Sequence, residues 1–335
     1  MSKPLRVSRT ILITLDAQDT LYKFKKPIAT QYLEVARQYG VQSRIDEDAL
    51  AVAFRTSFKA MSKSFPNYGH GTLDHPRTWW IRVVSDAFEH VIPKEEIPDA
   101  LPGGLYDHFA TAAAYDLYPD VKPFFETLGN LKKRHNNGDS SVFVGLISNS
   151  DSRVKSILEH LGLRVGTDTL YPHAEATQNN IATLYHAEDD IDFVTTSCAA
   201  KVEKPYRGIF EHAKAMMCGL EISKRGQSVF DHAAREASAD RTLQGRRSES
   251  REKALSVRSE CSTLIHIGDD YKKDYRGAKA AGWEAIYLNR EGEVTDVVNA
   301  VHTLTEAVDL IELMLDAGNL WRKQDNKASL EHFED

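Results

Sequence analysis

Residues 11–21 read ILITLDAQDTL, from Ile11 to Leu21. The first five are β-branched residues and leucines without polar alternation, the pattern of a short strand buried on both faces of a parallel sheet. Directly after it, two aspartates three residues apart, Asp16 and Asp19, flank a glutamine, Gln18, ahead of Thr20.

Similar runs recur at 142–147 (VFVGLI), 193–196 (FVTT), 264–267 (LIHI) and 285–288 (AIYL). Between the later ones the apolar spacing turns helical: Val154, Ile157, Leu158 and Leu161 fall on one face, with Gly162 as a C-terminal stop. Thr303 to Glu306 has the form of a capping box before Val308, Ile311, Met314 and Leu315. Strands alternating with helices define the α/β class, here a doubly wound, Rossmann-like parallel sheet.

One interval lacks the alternation. From about Tyr22 to Tyr118 there are helical stripes, such as Ile28, Tyr32, Val35 and Tyr39, or Trp79, Trp80, Val83, Val84 and Phe88, and no convincing buried strand. The expected organisation is a core of residues 1–21 and 119–335 with a helical domain, 22–118, inserted after the first strand. Two polar stretches, about 166–190 and 222–260, read as surface insertions. The segment GRRSESREK within the second is basic, but its interleaved glutamates predict a solvated face rather than a nucleic-acid or nuclear-targeting patch.

Composition narrows the function classes. The chain of 335 residues is 41% apolar and 27% charged, as for a soluble globular protein, and its net charge of −7 gives no pull toward nucleic acid or anionic membrane. No apolar run reaches the ~18 residues of a membrane helix. The N-terminus, MSKPLRVSRT, is basic without the apolar core of a secretory signal. Cys198, Cys218 and Cys261 have neither disulfide nor zinc spacing. The expectation is a soluble intracellular protein, cytoplasmic or nuclear, acting on a small molecule. The sequence is silent on oligomeric state.

In a doubly wound sheet, ligands bind beyond the carboxyl ends of the strands. Residues just past the runs are Asp16, Gln18, Asp19 and Thr20; Ser148 and Asn149; and Asp269, Asp270 and Asp274, with Lys204-Pro205 before another helical segment. Carboxylates, a hydroxyl, an amide and a lysine in one crevice suit phosphoryl transfer. Oxygen-only ligands favour Mg²⁺ over zinc, and an aspartate can attack phosphorus to give an aspartyl-phosphate.

LDAQDTL, LISNS, EKP and GDDYKKDYRGAKAAG, in that order, resemble the four motifs of the haloacid dehalogenase (HAD) superfamily, over nearly the whole chain outside the polar stretches. The resemblance implies that the helical segment is a cap of that superfamily's first type. It also implies a phosphatase acting on a small phosphorylated metabolite, with Asp16 as nucleophile and metal ligand and Lys204 steadying nucleophile and phosphate. Thr20, Ser148 and Asn149 match phosphate contacts. Gln18, through its carbonyl, Asp269 and Asp274 match the Mg²⁺ site, and Asp270 is a nearby acidic position. The departure is at Gln18. The usual motif, D-x-D-G-T, carries there the aspartate that protonates the leaving group and then activates water, and its loss typically costs ~10²–10⁴-fold. Asp19 falls on the glycine position, and in an extended segment it would point away from its neighbour. A binding protein without turnover is therefore the alternative; dehalogenation, which needs no metal, is a third.

Singly, each residue also fits a plain structural role: Asp16 in a turn, Ser148-Asn149 as an N-cap pair, Trp79 and Trp80 in the helical core. FPNYGHG reads equally as a substrate loop or a rigid turn, and His70 and His75 as surface or turn residues.

Overall fold

The structure, a computed structural model, describes residues 9–136, 140–169, 185–239 and 262–315. Outside them lie most of the N-terminal MSKPLRVSRT, GRRSESREK, Cys261 and much of both polar stretches.

Seven parallel strands form one sheet in the order β5-β6-β4-β1-β7-β8-β9: β1 (Arg9–Leu15), β4 (Ser140–Ser148), β5 (Val165–Thr167), β6 (Ile191–Thr196), β7 (Ser262–Gly268), β8 (Glu284–Leu288) and β9 (Ala300–Val301). The remaining two, β2 (Tyr22–Phe24) and β3 (Tyr115–Leu117), pair antiparallel as a separate ribbon. β1 sits at the centre because both its faces are apolar. Ile11, Ile13 and Leu15 join one core cluster while Leu12 joins the other with Phe143, Ile147 and Phe193. Each such buried aliphatic side chain contributes about 1.5–3 kcal/mol. Gly145 in β4 lets the Phe193 ring lie across the strand, since a Cβ there would be 2.4 Å from the ring.

Helices cover both faces. Val121–Asn136 brings Lys132 to Asp192 of β6 at 2.7 Å, both buried, and Asp192 also accepts from the Val144 amide. Arg207–Ala239 packs Ile209, Phe210, Ala213, Met216 and Met217 on the second cluster. It carries residues 222–239 of the second polar stretch as continuous helix. Residues 304–315 form the last helix, where the Thr303 hydroxyl accepts from the Glu306 amide while Glu306 reaches the His302 amide.

Between β1 and β4 the chain forms the helices Ile28–Gln38, Glu47–Ser64, Pro76–Glu89 and Leu101–His108. The helical spacing read from 22–118 is thus present. The segment also holds β2 and β3, only partly buried and each three residues long, too short to show a period-2 pattern. Pro66–Gly69 is a kinked turn with Asn67 and Tyr68 at φ of 49° and 59°. Among the described residues, no helix is long and apolar enough to cross a membrane.

Candidate active site

The carboxyl ends of β1, β4 and β7 meet at Asp16, whose amide extends the ladder by donating to the Ile267 carbonyl at 2.9 Å. Lys204 approaches from the loop after β6. Its ammonium donates to Asp16 Oδ1 at 2.5 Å, to Asp274 Oδ1 at 2.6 Å and to the Ile147 carbonyl at 2.9 Å. A lysine has three donors, so its position is fully determined. Asn149 fixes it further: its Oδ1 accepts from the Lys204 amide at 2.7 Å and its Nδ2 donates to the Lys204 carbonyl at 3.0 Å. Asn149 thus spends its amide on the lysine's backbone. Ser148, the last residue of β4, lines the adjacent cavity.

Thr20 is likewise turned to a neighbour. Its hydroxyl donates to Asp269 Oδ1 at 2.8 Å and accepts from the Asp269 amide at 3.2 Å, holding that carboxylate beside Asp16. Asp274 spends both oxygens inside the protein. Oδ1 accepts from Lys204 and lies 3.2 Å from His266 Nε2, while Oδ2 accepts from the Asp270 amide at 3.0 Å. His266 is fully buried in β7, and its Nδ1 is 2.9 Å from the Thr14 hydroxyl. Burial holds its pKa below the usual value, so a neutral ring with its proton on Nε2 satisfies both partners. Asp270 caps the next turn through the Lys272 and Lys273 amides.

The electrostatics follow from three carboxylates sharing one lysine. Burial pushes Asp16 up to about 7, against the pull of Lys204 and with help from Asp274 and Asp269. Burial likewise raises Asp269 to about 6, partly offset by the Thr20 hydroxyl. Asp274 is also penalised by burial, but Lys204 and His266 outweigh this and keep it ionised. Oxygens of Asp16, Asp269 and Asp274 lie within 4.8 Å of one another. Among the described residues no donor reaches the second oxygen of Asp16 or of Asp269. Two carboxylates raised mainly by burial, each with an oxygen to spare, fit a hard divalent cation.

Asp19 corrects the extended-chain expectation. It adopts a left-handed φ of 60° inside a tight turn closed by Leu21 and Tyr22 amides donating to the Ala17 carbonyl. Its exposed carboxylate accepts from Gln18 Nε2 at 3.2 Å. This conformation is the reason a glycine suits that place.

A cavity of about 430 Å³ opens beside Gln18, Ser148 and Asn149. Its far walls are aromatic and come from the helical segment and the β2–β3 ribbon, among them Tyr22, Tyr32, Phe58, Trp80 and Tyr106. Asp151 and Arg153, just after β4, form a near-buried pair in the wall. The guanidinium lies 4.4 Å from the Trp80 ring and 4.5 Å from that of Tyr106, and Trp80 Nε1 donates to Asp151 at 2.6 Å. Trp79 is core, as its spacing suggested, but Trp80 is cavity wall. Two contacts tie the kinked FPNYGHG turn to this end of the sheet: Tyr68 donates to the Asn149 carbonyl at 2.9 Å, and Asn67 Nδ2 to the Ser197 carbonyl at 2.7 Å. His75 caps the following helix through the Arg77 amide, and His70 is exposed. Sequence reasoning overlooked His266, Asp151 and Arg153. His266 had a signal, a histidine inside a strand apolar on both faces.

The sheet and its flanking helices have the fold seen in haloacid dehalogenases, and the chain is similar in sequence to proteins named after that superfamily. Its fold matches a 2-haloacid dehalogenase of Pseudomonas syringae (TM-score 0.50, 16% identity, 90% of this chain and 98% of that one). It also matches a defluorinating L-2-haloacid dehalogenase (TM-score 0.52, 11% identity, 90% and 95%). No family model matches. In sequence the chain is similar to haloacid dehalogenase-like hydrolase domain-containing protein 3 of Bos taurus, 27% identical over 83% of this chain and 81% of that protein. The human protein of that name is 26% identical over the same shares. An uncharacterised Saccharomyces cerevisiae protein is 28% identical over 88% of this chain and 77% of its own length.

Proposed function

We propose that the chain is a Mg²⁺-dependent phosphatase that works through an aspartyl-phosphate on Asp16, with the helical segment acting as a cap over the site. The observation that carries the reading is Asp16 itself. It is held at a strand end by Lys204, with one oxygen unspent and next to a second carboxylate, while Gln18, two residues on, lines a cavity of metabolite size.

Asp16, Asp269 and the Gln18 carbonyl would hold the cation, with Asp274, whose oxygens Lys204, His266 and the Asp270 amide already use, adding its charge beside them. Bound there, the cation would neutralise charge on the phosphoryl oxygens. The unspent oxygen of Asp16 attacks phosphorus, and the bond to the leaving oxygen breaks. Lys204 offsets the charge that builds at Asp16 and on the transferred group. Ser148 hydrogen-bonds one phosphoryl oxygen; Thr20 and Asn149 act one step back, by positioning Asp269 and Lys204. Water then attacks phosphorus, the bond to Asp16 breaks and the carboxylate is restored. Gln18 neither donates nor accepts a proton near neutral pH, so both steps run without the acid–base group that typically contributes ~10²–10⁴-fold.

The test is the intact mass of the protein after incubation with Mg²⁺ and an aryl phosphate, wild type beside Asp16→Asn. A phosphoryl adduct on wild type alone supports the reading. Absence of both adduct and released phosphate refutes it and leaves the binding-protein alternative that Gln18 motivates. Dehalogenation is disfavoured by the Asp16–Asp269 pair, which carbon displacement does not need; chloride release from a 2-haloacid would revive it.

A further inference from the structure

We infer, resting on the phosphatase reading, that the substrate is an aryl phosphate: a phosphate ester of a one- or two-ring phenolic compound whose oxygen departs as the unprotonated phenolate.

Two independent observations converge on this class. The first is shape and chemistry. Aromatic rings are the largest group in the cavity lining, among them Phe58, Trp80, Tyr106 and Tyr32. Flat rings of this kind bind a flat ring, by offset or edge-on contact. A sugar or polyol phosphate would leave every hydroxyl that faces these rings, rather than Ser150 or Arg55, without a partner, which costs free energy for each one.

The second is the supply of protons. Among the described residues lining the cavity, the one carboxylate is Asp151, and its oxygens are taken by Arg153 and Trp80. None of the described histidines lines it. The lining tyrosines are raised by burial, Tyr106 to about 12 and Tyr68 further, which makes them poor acids. Asp19 is exposed, bonded to Gln18 and absent from the lining. An alkoxide, with a conjugate acid far above neutral pKa, needs a proton to leave; a phenolate does not. The proton-poor wall and the aromatic wall therefore select the same leaving group.

The chemistry balances. The Asp16 carboxylate donates an electron pair to phosphorus, and the P–O(aryl) pair leaves with the phenolate. Water supplies the oxygen in the second step, Asp16 recovers its pair, and one proton passes to solvent.

The experiment measures kcat/KM with Mg²⁺ for 4-nitrophenyl, phenyl and 1-naphthyl phosphate and for glycerol 1-phosphate, with Asp16→Asn as the control. We expect aryl esters to exceed the alkyl ester by at least ~10²-fold, with rates falling as leaving-group pKa rises. Gln18→Asp should raise the alkyl rate by ~10²–10⁴-fold and the aryl rates much less. Binding of 1-naphthylmethylphosphonate at least tenfold tighter than inorganic phosphate, weakened by Phe58→Ala, would place the ring in the cavity. Equal aryl and alkyl efficiency, or naphthyl binding no tighter than phosphate, would overturn the inference while leaving the phosphatase reading intact. No phosphate from any ester, and no adduct on Asp16, would instead overturn that reading.

Discussion

Gly268 ends β7, and Asp274 folds back over it. A Cβ at this position would be 2.3 Å from Asp274 Cγ, 2.4 Å from its Oδ2 and 2.6 Å from its Cβ. Gly268→Ala therefore forces Asp274 away, because its Cβ and carboxylate are met together. Overpacking of this kind costs about 1–3 kcal/mol. The displaced carboxylate also weakens its bonds to Lys204, His266 and the Asp270 amide, each worth roughly 1.5–3 kcal/mol when intact. Partial loss brings the total to about 2–4 kcal/mol, or a fall in Tm of roughly 5–10 °C. Lys204 would lose one of its three anchors, and misplacement by an ångström lowers turnover by ~10²-fold. Gly145→Ala is the control: its Cβ meets the Phe193 ring, away from the site. It should destabilise comparably while phosphoenzyme formation at a temperature well below Tm survives. The assay pairs thermal unfolding by circular dichroism with the rate of phosphoryl transfer. A Gly268→Ala protein with unchanged Tm and unchanged rate would refute the view that Asp274 packs on Gly268 to hold Lys204.

Further outcomes follow from the same interactions. Asp16 and Asp269 rise from 3.8 to about 7 and about 6. Without a cation, the stability that each contributes is therefore complete below about pH 4 and is lost as pH climbs through 6 to 7. On the proposed reading Mg²⁺ would bind the ionised pair, so its effect on Tm should be larger near pH 7.5 than near pH 5; an equal shift at both would count against these ligands. Lys132→Met leaves Asp192 buried without its partner and should cost about 3–5 kcal/mol in urea unfolding, against little change if the pair were dispensable. Asp19→Gly relieves the left-handed residue and should stabilise by roughly 0.5–1 kcal/mol; destabilisation would mean that its carboxylate holds the turn.

The central strands and the residues at their ends were legible because both signals are local. A run such as ILITL is apolar on two faces, and Asp16, Lys204 and Asp269 fall at strand ends or loops that the alternation defines. What stayed hidden depends on partners far apart in the chain. Nothing in SN or DT shows that Asn149 clamps the Lys204 backbone or that Thr20 serves Asp269, because the partners are 55 and 249 residues away. The three-residue ribbon strands are too short for a period to emerge. Trp80 differs from Trp79 by one helical step of about 100°, which suffices to move a ring from core to cavity wall while leaving the stripe intact.

The kinked turn of Asn67 and Tyr68 grips the site through the carbonyl oxygens of Ser197 and Asn149, which are main-chain atoms. Every residue type offers the same carbonyl. The seam between helical segment and sheet is therefore written in backbone. The side chain at 197 can diverge among descendants without loosening it, and that of Asn149 answers to Lys204 rather than to this seam, whereas Asn67 and Tyr68 are read by identity. In this fold the freedom to vary and the duty to fit sit on opposite sides of one seam.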